Sequence, residues 1–222
     1  MTFSKNKIII FLLFMSMLII LSYNYLDKEV ALYFIAHKNT YKAIGKFLSI
    51  FGESQWYIGA GLLGFLYFKY VKENALYKNR FLFLFYANVF SGLLSILLKW
   101  IFGRIRPKGL YNGDDEFGFL LFQNLDMGFF EKMKYHLMTM VHHTSTYSSF
   151  PSGHTVTIAA TFTTLYIFFP KYLSLWVGLA LIFASGRILA TDHFIADVLA
   201  GFVVGIFSTL YLYQKMKSKI EK

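Results

Sequence analysis

The feature that most constrains this chain is a series of apolar stretches, several of them about 20 residues long, the length needed to cross a hydrocarbon core about 30 Å thick. Six are legible: Ile8–Leu26, Trp56–Val71, Phe81–Phe102, a run from His154 to just before Pro170, Leu173–Ala190, and Phe194–Tyr213. Backbone surrounded by lipid must satisfy its own N–H and C=O groups, so runs of this kind fold as helices. The expectation is an all-α membrane protein of six transmembrane helices, with residues 1–222 forming a single domain. Composition agrees. Hydrophobic residues make up 56% of the chain and charged residues 15%, too apolar for a soluble domain of this size. The 26 Phe and 16 Tyr supply rings suited to the bilayer interface. The first run follows Lys5 and Lys7. It exceeds a signal-peptide core and lacks a small-x-small cleavage site, so it reads as an anchor.

The segment between the first two runs, Asp27 to Ser54, alternates Lys38, Lys42 and Lys46 with Ile44, Phe47, Leu48 and Phe51. Lysines four residues apart share a helix face, which predicts an amphipathic helix lying in the interface. A solvated connector is the plainer alternative. The net charge of +10 would suit nucleic acid, anionic lipid or an anionic substrate. Nucleic acid is set aside because the basic residues lie between apolar runs. The absence of cysteine removes disulfides and thiolate metal sites. Lys and Arg are equally numerous on the two sides of the predicted spans but concentrate in the short segments that include both termini. This density predicts cytoplasmic termini and an extracytoplasmic loop between spans three and four. That loop carries Asp114, Asp115, Glu116, Asp126, His136, His142 and His143, and a polar loop of this length is usually functional or partly folded.

Ionisable residues at membrane depth are costly and so mark candidate sites. Lys99 and Arg106 are seven residues apart, two turns of a helix, with Pro107 placed to stop it. They suit either an anion site or a pair reaching for headgroups. Phe150-Pro151-Ser152-Gly153-His154 turns into span four, where free N–H groups favour an anion. Ser152 can donate to that anion or simply cap the helix, and His154 can protonate a leaving oxygen. Arg187 precedes His193 and Asp197, which are spaced i, i+4. A carboxylate on one imidazole nitrogen leaves the other free to attack. A metal pair or a structural contact is the alternative. His142 and His143 could complete a zinc set in principle, but no zinc pattern is present.

In this order, Lys-x6-Arg-Pro, Pro-Ser-Gly-His and Arg-x5-His-x3-Asp resemble the signature of the type 2 phosphatidic acid phosphatase (PAP2) superfamily, which also includes bacterial acid phosphatases and vanadium haloperoxidases. The resemblance implies that His193 attacks phosphorus to form a phosphohistidine. It also implies that Asp197 orients His193, and that His154 protonates the leaving group and then activates water. Lys99, Arg106 and Arg187, with Ser152 and the N–H groups of Gly153 and His154, are implied to hold the phosphoryl oxygens. No cofactor or metal is implied. The family pattern usually has Ser directly before the third-motif Arg. Here Gly186 stands there and Ser185 one residue further back, so a serine contact to phosphate is missing or is supplied by the Gly186 N–H.

Catalytic residues at span ends suit a lipid phosphate whose tails stay in the bilayer. The expected substrate is undecaprenyl diphosphate, a lipid A phosphate, phosphatidylglycerol phosphate or phosphatidic acid, with His142 and His143 as candidate headgroup contacts. Short loops, modest size and the lack of an organelle signal point to a bacterial cytoplasmic (inner) membrane. The orientation puts the site on its periplasmic or extracellular face. Two other classes compete: a non-catalytic lipid-binding or transport protein on the same scaffold, which predicts a broken signature, and a vanadate-dependent peroxidase, whose relatives are typically soluble.

Overall fold

The computed structural model describes residues 5–111, 117–123 and 126–220. Among them, regular structure is helical apart from two isolated β-bridges. α1 (Lys5–Leu21) passes through a five-residue π-helical turn (Ser22–Leu26) into α2 (Asp27–Ala36). α3 (Lys38–Ile50), α4 (Ser54–Tyr70) and α5 (Ala75–Phe102) follow. The loop region then holds α6 (Pro107–Tyr111), α7 (Phe129–His142) and α8 (Thr144–Tyr147). α9 (Gly153–Phe168), α10 (Leu173–Leu189) and α11 (Ile195–Ile220) complete the described chain.

Four rods are long and apolar enough to cross a bilayer: Asn6–Ala36, Ala75–Phe102, Pro170–Leu189 and Ile195–Ile220. α4 and α9 coincide with the other two expected spans but have only 17 and 16 residues. At 1.5 Å per residue, α9 is about 24 Å long, short of the hydrocarbon core. The first rod is longer than expected. Asp27, read from the sequence as the start of an interfacial segment, instead continues the first helix and is buried. Only α3 has the amphipathic character expected of that segment. Its Gly45 and Ser49 are buried, while Ile44, Phe47 and Ile50 are exposed.

Small residues let the helices approach closely. A Cβ on Gly201 would lie 2.9 Å from the Ser152 carbonyl oxygen, and one on Gly205 would lie 2.5 Å from that of Val156. This four-residue spacing of glycines lets α11 lie backbone-to-backbone on α9. α3 meets α10 in the same way: a Cβ on Gly45 would stand 2.4 Å from Ala190 N. Polar pairs also cross helix interfaces, with Ser91 Oγ and Ser208 Oγ 2.7 Å apart and Thr161 Oγ1 donating to Asn88 Oδ1 at 3.2 Å. Ile158, Phe162, Ala180, Ala184 and Val198 form an apolar core shared by α9, α10 and α11.

Local signals end the helices where the site begins. Asn74 Oδ1 accepts from Tyr77 N and caps α5 at its start. Gly103, at φ 56°, ends it in the left-handed region that glycine tolerates. Pro107 therefore does not stop α5, as its position suggests; it begins α6, where its missing N–H costs nothing. Beyond Gly103, residues 103–106 pair with both ends of the loop. Leu120 N donates to Gly103 O at 2.9 Å, Ser149 N to Arg104 O at 3.0 Å, and Arg106 N to Thr146 O at 2.8 Å. The loop is thus folded back on the end of α5. Asp114, Asp115 and Glu116 lie outside the described residues.

Candidate active site

The C-terminal ends of α5 and α10 and the N-terminal ends of α9 and α11 meet at one end of the bundle, and the three sequence clusters meet with them. Lys99 and Arg106 do not share a helix face, because α5 ends between them. They converge by another route. Lys99 Nζ donates to Ser148 O at 2.5 Å, and Arg106 Nη2 donates to Ser148 Oγ at 3.2 Å. Lys99, Arg106 and Arg187 lie within electrostatic range of one another, and His154 feels all three. Such crowding of cations is costly without an anion to gather them. Burial pushes the Arg106 guanidinium below its ordinary range, partly offset by Asp192 and Asp197. The Nε donors of Arg106 and Arg187 are buried without a hydrogen-bond partner.

His193 precedes α11 rather than riding on it, so the i, i+4 spacing works through a helix start. Asp197 Oδ2 accepts from Phe194 N at 2.9 Å and from Ser149 Oγ at 2.6 Å, and lies 3.6 Å from His193 Nδ1. Ser149 Oγ is also 3.4 Å from His193 Nδ1. With its hydroxyl proton given to Asp197, Ser149 can accept from Nδ1–H. That tautomer leaves Nε2 with its lone pair free. Burial pushes the His193 imidazole down to about 3, against the pull of the nearby Asp197 carboxylate, so the ring is neutral at physiological pH.

The other oxygen of Asp197 belongs to a residue that sequence reasoning passes over. Arg104 is wholly buried. Its Nη1 donates to Asp197 Oδ1 at 2.6 Å and its Nη2 to Asp27 Oδ2 at 2.7 Å. Asp27 Oδ1 in turn accepts from Ala196 N at 3.0 Å. The guanidinium carbon lies 4.3 Å from the Phe194 ring centroid and 5.0 Å from that of Tyr23. Burial works against the charge of Arg104, but Asp197 and Asp27 outweigh it and hold the guanidinium ionised. The signal was a third basic residue, Arg104, between Lys99 and Arg106, together with an acid at the end of an apolar run.

Asp192, adjacent to His193, was also missed. It pairs with Arg187 at 3.2 Å and with Lys46 and Lys108 at 2.9 Å each. Burial raises its carboxyl, but Arg187, Lys108 and Lys46 prevail and hold it well below the usual carboxylate range.

Ser152 does not cap α9 with its side chain; its Oγ accepts from Thr155 Oγ1 at 3.0 Å. Its N–H donates to Asp197 O at 3.0 Å, tying the α9 turn to α11. His154 stands in the second position of α9, its Cβ against Gly52. His142 and His143 are exposed at the end of α7, outside the hydrogen-bonded cluster. The Gly186 N–H lies inside α10 and is engaged by the helical ladder, so it is not free for phosphate. Ser185 Oγ donates to Ile182 O at 2.7 Å within its own helix. A Cβ at 186 would meet Leu48 Cβ at 2.7 Å and Gly45 O at 2.8 Å. Glycine is there because α3 occupies the space a side chain would need.

The sequence profile of the PAP2 superfamily matches residues 80–221, which include all three motifs. The chain belongs to the PAP2 superfamily. Among curated proteins, a lipid A 1-phosphatase of Rhizobium johnstonii is 31% identical over 179 residues, covering 76% of this chain and 65% of the relative. A lipid A 1-phosphatase of Rhizobium etli is 32% identical over 174 residues, covering 74% of this chain and 66% of the relative. The matches thus span slightly under two thirds of each relative's length. No solved structure matches the chain.

Proposed function

We propose that this PAP2 protein is an integral-membrane lipid phosphatase that hydrolyses a phosphomonoester or pyrophosphate of a cell-envelope lipid through a phosphohistidine on His193. The observation that carries the reading is the pairing of a neutral, carboxylate-oriented histidine with buried cations whose Nε donors lack partners. Phosphoryl transfer demands charge stabilisation and positioning more than covalent chemistry. Here Lys99, Arg106 and Arg187 receive the phosphoryl oxygens, joined by the first N–H groups of α9. His193 Nε2 attacks phosphorus in line, and the bond to the leaving oxygen breaks. Asp197 and Ser149 hold Nδ1–H and stabilise the charge that develops on the ring. His154 protonates the leaving oxygen, then takes a proton from the water that cleaves the phosphohistidine and releases inorganic phosphate.

A cavity of about 410 Å³ supports a lipid substrate. Its wall carries Lys99 and His154 beside Ile58, Val89, Leu93 and Ile96. A phosphate held at the polar end would keep its tails against the apolar wall and the bilayer. Six crossings, with α4 and α9 as short spans, account for the alternation of helix ends at the site. The exposed apolar faces of α3 and α7 suit the interface. The density of basic residues in short segments favours cytoplasmic termini and a periplasmic or extracellular site in a bacterial inner membrane. Given the two Rhizobium relatives, a lipid A phosphate is the first substrate to try.

The test is phosphate release from a panel of purified lipids in detergent: a lipid A, phosphatidic acid, phosphatidylglycerol phosphate and undecaprenyl diphosphate. Turnover of at least one is expected, and His193→Ala should abolish it while the protein elutes and melts as wild type does. Full turnover by His193→Ala would overturn the mechanism.

A further inference from the structure

We propose that Lys46 and Lys108, gathered by Asp192, form a second anion subsite beside the reactive phosphoryl site, which takes a further phosphate-like group of the same substrate. This rests on the phosphatase reading above and assigns part of its specificity.

Asp192 is the centre of the cluster. Its Oδ2 is shared by Lys46 Nζ at 2.9 Å and Arg187 Nη1 at 3.2 Å, and its Oδ1 takes Lys108 Nζ at 2.9 Å. Lys46 and Arg187 are therefore separated by a single oxygen atom. The three cations come from α3, α6 and α10, so separate elements converge on one carboxylate. That carboxylate is fixed in place. Thr191 turns the chain at φ 58°, and the N–H groups of both Asp192 and His193 donate to Arg187 O.

Exposure grades across the cluster: the side chain of Arg187 is 7% exposed, Lys46 51% and Lys108 58%. The buried cation faces the reactive site and the two lysines face outward. Half-exposed lysine pairs contribute little to stability, so stability does not explain two of them on one acid. Three cations against one carboxylate leave an excess of positive charge. Each ammonium has three donors, only one of which Asp192 engages. A phosphate-like group next to the reactive phosphoryl group would find these donors one carboxylate away from Arg187. The inner phosphate of a diphosphate, which leaves with the lipid when the terminal phosphoryl group passes to His193, or another phosphate on the headgroup, has this chemistry.

The experiment uses the purified full chain in a neutral detergent, with inorganic phosphate and methylenebisphosphonate as probes in titration calorimetry. Wild type should bind the bisphosphonate at least about tenfold more tightly than phosphate, a difference of about 1.4 kcal/mol. The Lys46→Gln/Lys108→Gln variant should lose that preference with less than about a twofold change for phosphate, and Lys46→Arg/Lys108→Arg should restore it. A preference retained in the Gln variant overturns the proposal. Equal loss for both probes also overturns it, because the lysines would then act only through Asp192 on Arg187. KM for an alkyl diphosphate, measured in phosphatidylcholine vesicles with and without phosphatidylglycerol, separates the source of the anion. A lysine effect that appears only with phosphatidylglycerol assigns the subsite to bulk lipid and overturns the proposal. The binding arm needs no turnover. Bisphosphonate preference without phosphate release from any lipid would sink the phosphatase reading while leaving the subsite intact.

Discussion

Replacing Arg104 with Met removes a charge that two buried carboxylates share and keeps much of the side-chain volume. Asp197 would retain the hydroxyl of Ser149 and the N–H of Phe194, and Asp27 would retain the N–H of Ala196. Each loses its bond to the guanidinium, at 2.6 and 2.7 Å respectively. Breaking a buried ion pair by removing one partner costs about 3–5 kcal/mol. Asp197 also loses the anchor that sets its plane against His193. A hydrogen bond to a charged group is worth about 1.5–3 kcal/mol. If that is lost at the transition state, turnover falls about 10- to 150-fold. The assay is kcat on the preferred lipid beside thermal melting of the same detergent preparation. Adding Asp27→Asn to Arg104→Met removes one stranded charge and should recover part of the melting temperature while kcat stays low. Wild-type kcat in the single variant would refute the orienting role. Full recovery of kcat in the double variant would show that Arg104 serves stability alone.

Three further outcomes are expected. Gly186→Ser, which restores the usual family residue, should lower stability by about 1–3 kcal/mol, the range for overpacking, and raise KM by displacing α3 and Lys46. Higher turnover with an unchanged melting temperature would refute this. Because His193 titrates at about 3 in the fold and near 6.5 when unfolded, the unfolded chain takes up a proton that the folded chain refuses between those values. Stability should therefore fall as pH drops from about 6.5 toward 3. The melting temperature should decline less steeply in His193→Gln, and equal slopes in the two proteins would refute it. On the proposed mechanism, in which Lys99, Arg106 and Arg187 balance the phosphate charge, EDTA should leave the rate unchanged; strict dependence on added Mg²⁺ would require another mechanism.

Four long apolar helices and the three motifs were legible because lipid imposes a one-dimensional rule on sequence and because charges inside apolar runs stand out. Even so, α5 stops at Gly103 rather than Pro107, because a left-handed glycine closes a helix before proline has to. The supporting residues were not legible. Ser149 is 48 positions from Asp197, and Arg104 is 77 from Asp27. No periodicity connects such pairs; only folding the loop onto the end of α5 does. Gly186 looked like a lost phosphate contact. Its reason lies in α3, more than a hundred residues earlier in the chain, whose backbone takes the place of the side chain.

The π-helical turn at Ser22–Leu26 acts as a phase adjuster. A wide turn holds one more residue than an α-helical turn, so everything after it is rotated by about 100° relative to an unbroken α-helix. That rotation decides which wall of the first rod carries Asp27. Deleting one residue between Ser22 and Leu26 would leave every motif residue in place and the hydropathy almost unchanged. It would nonetheless swing Asp27 away from Arg104 and leave the guanidinium with one carboxylate instead of two. In this protein, the length of a membrane anchor is also an angular setting for the carboxylate pair that holds Arg104 beside His193.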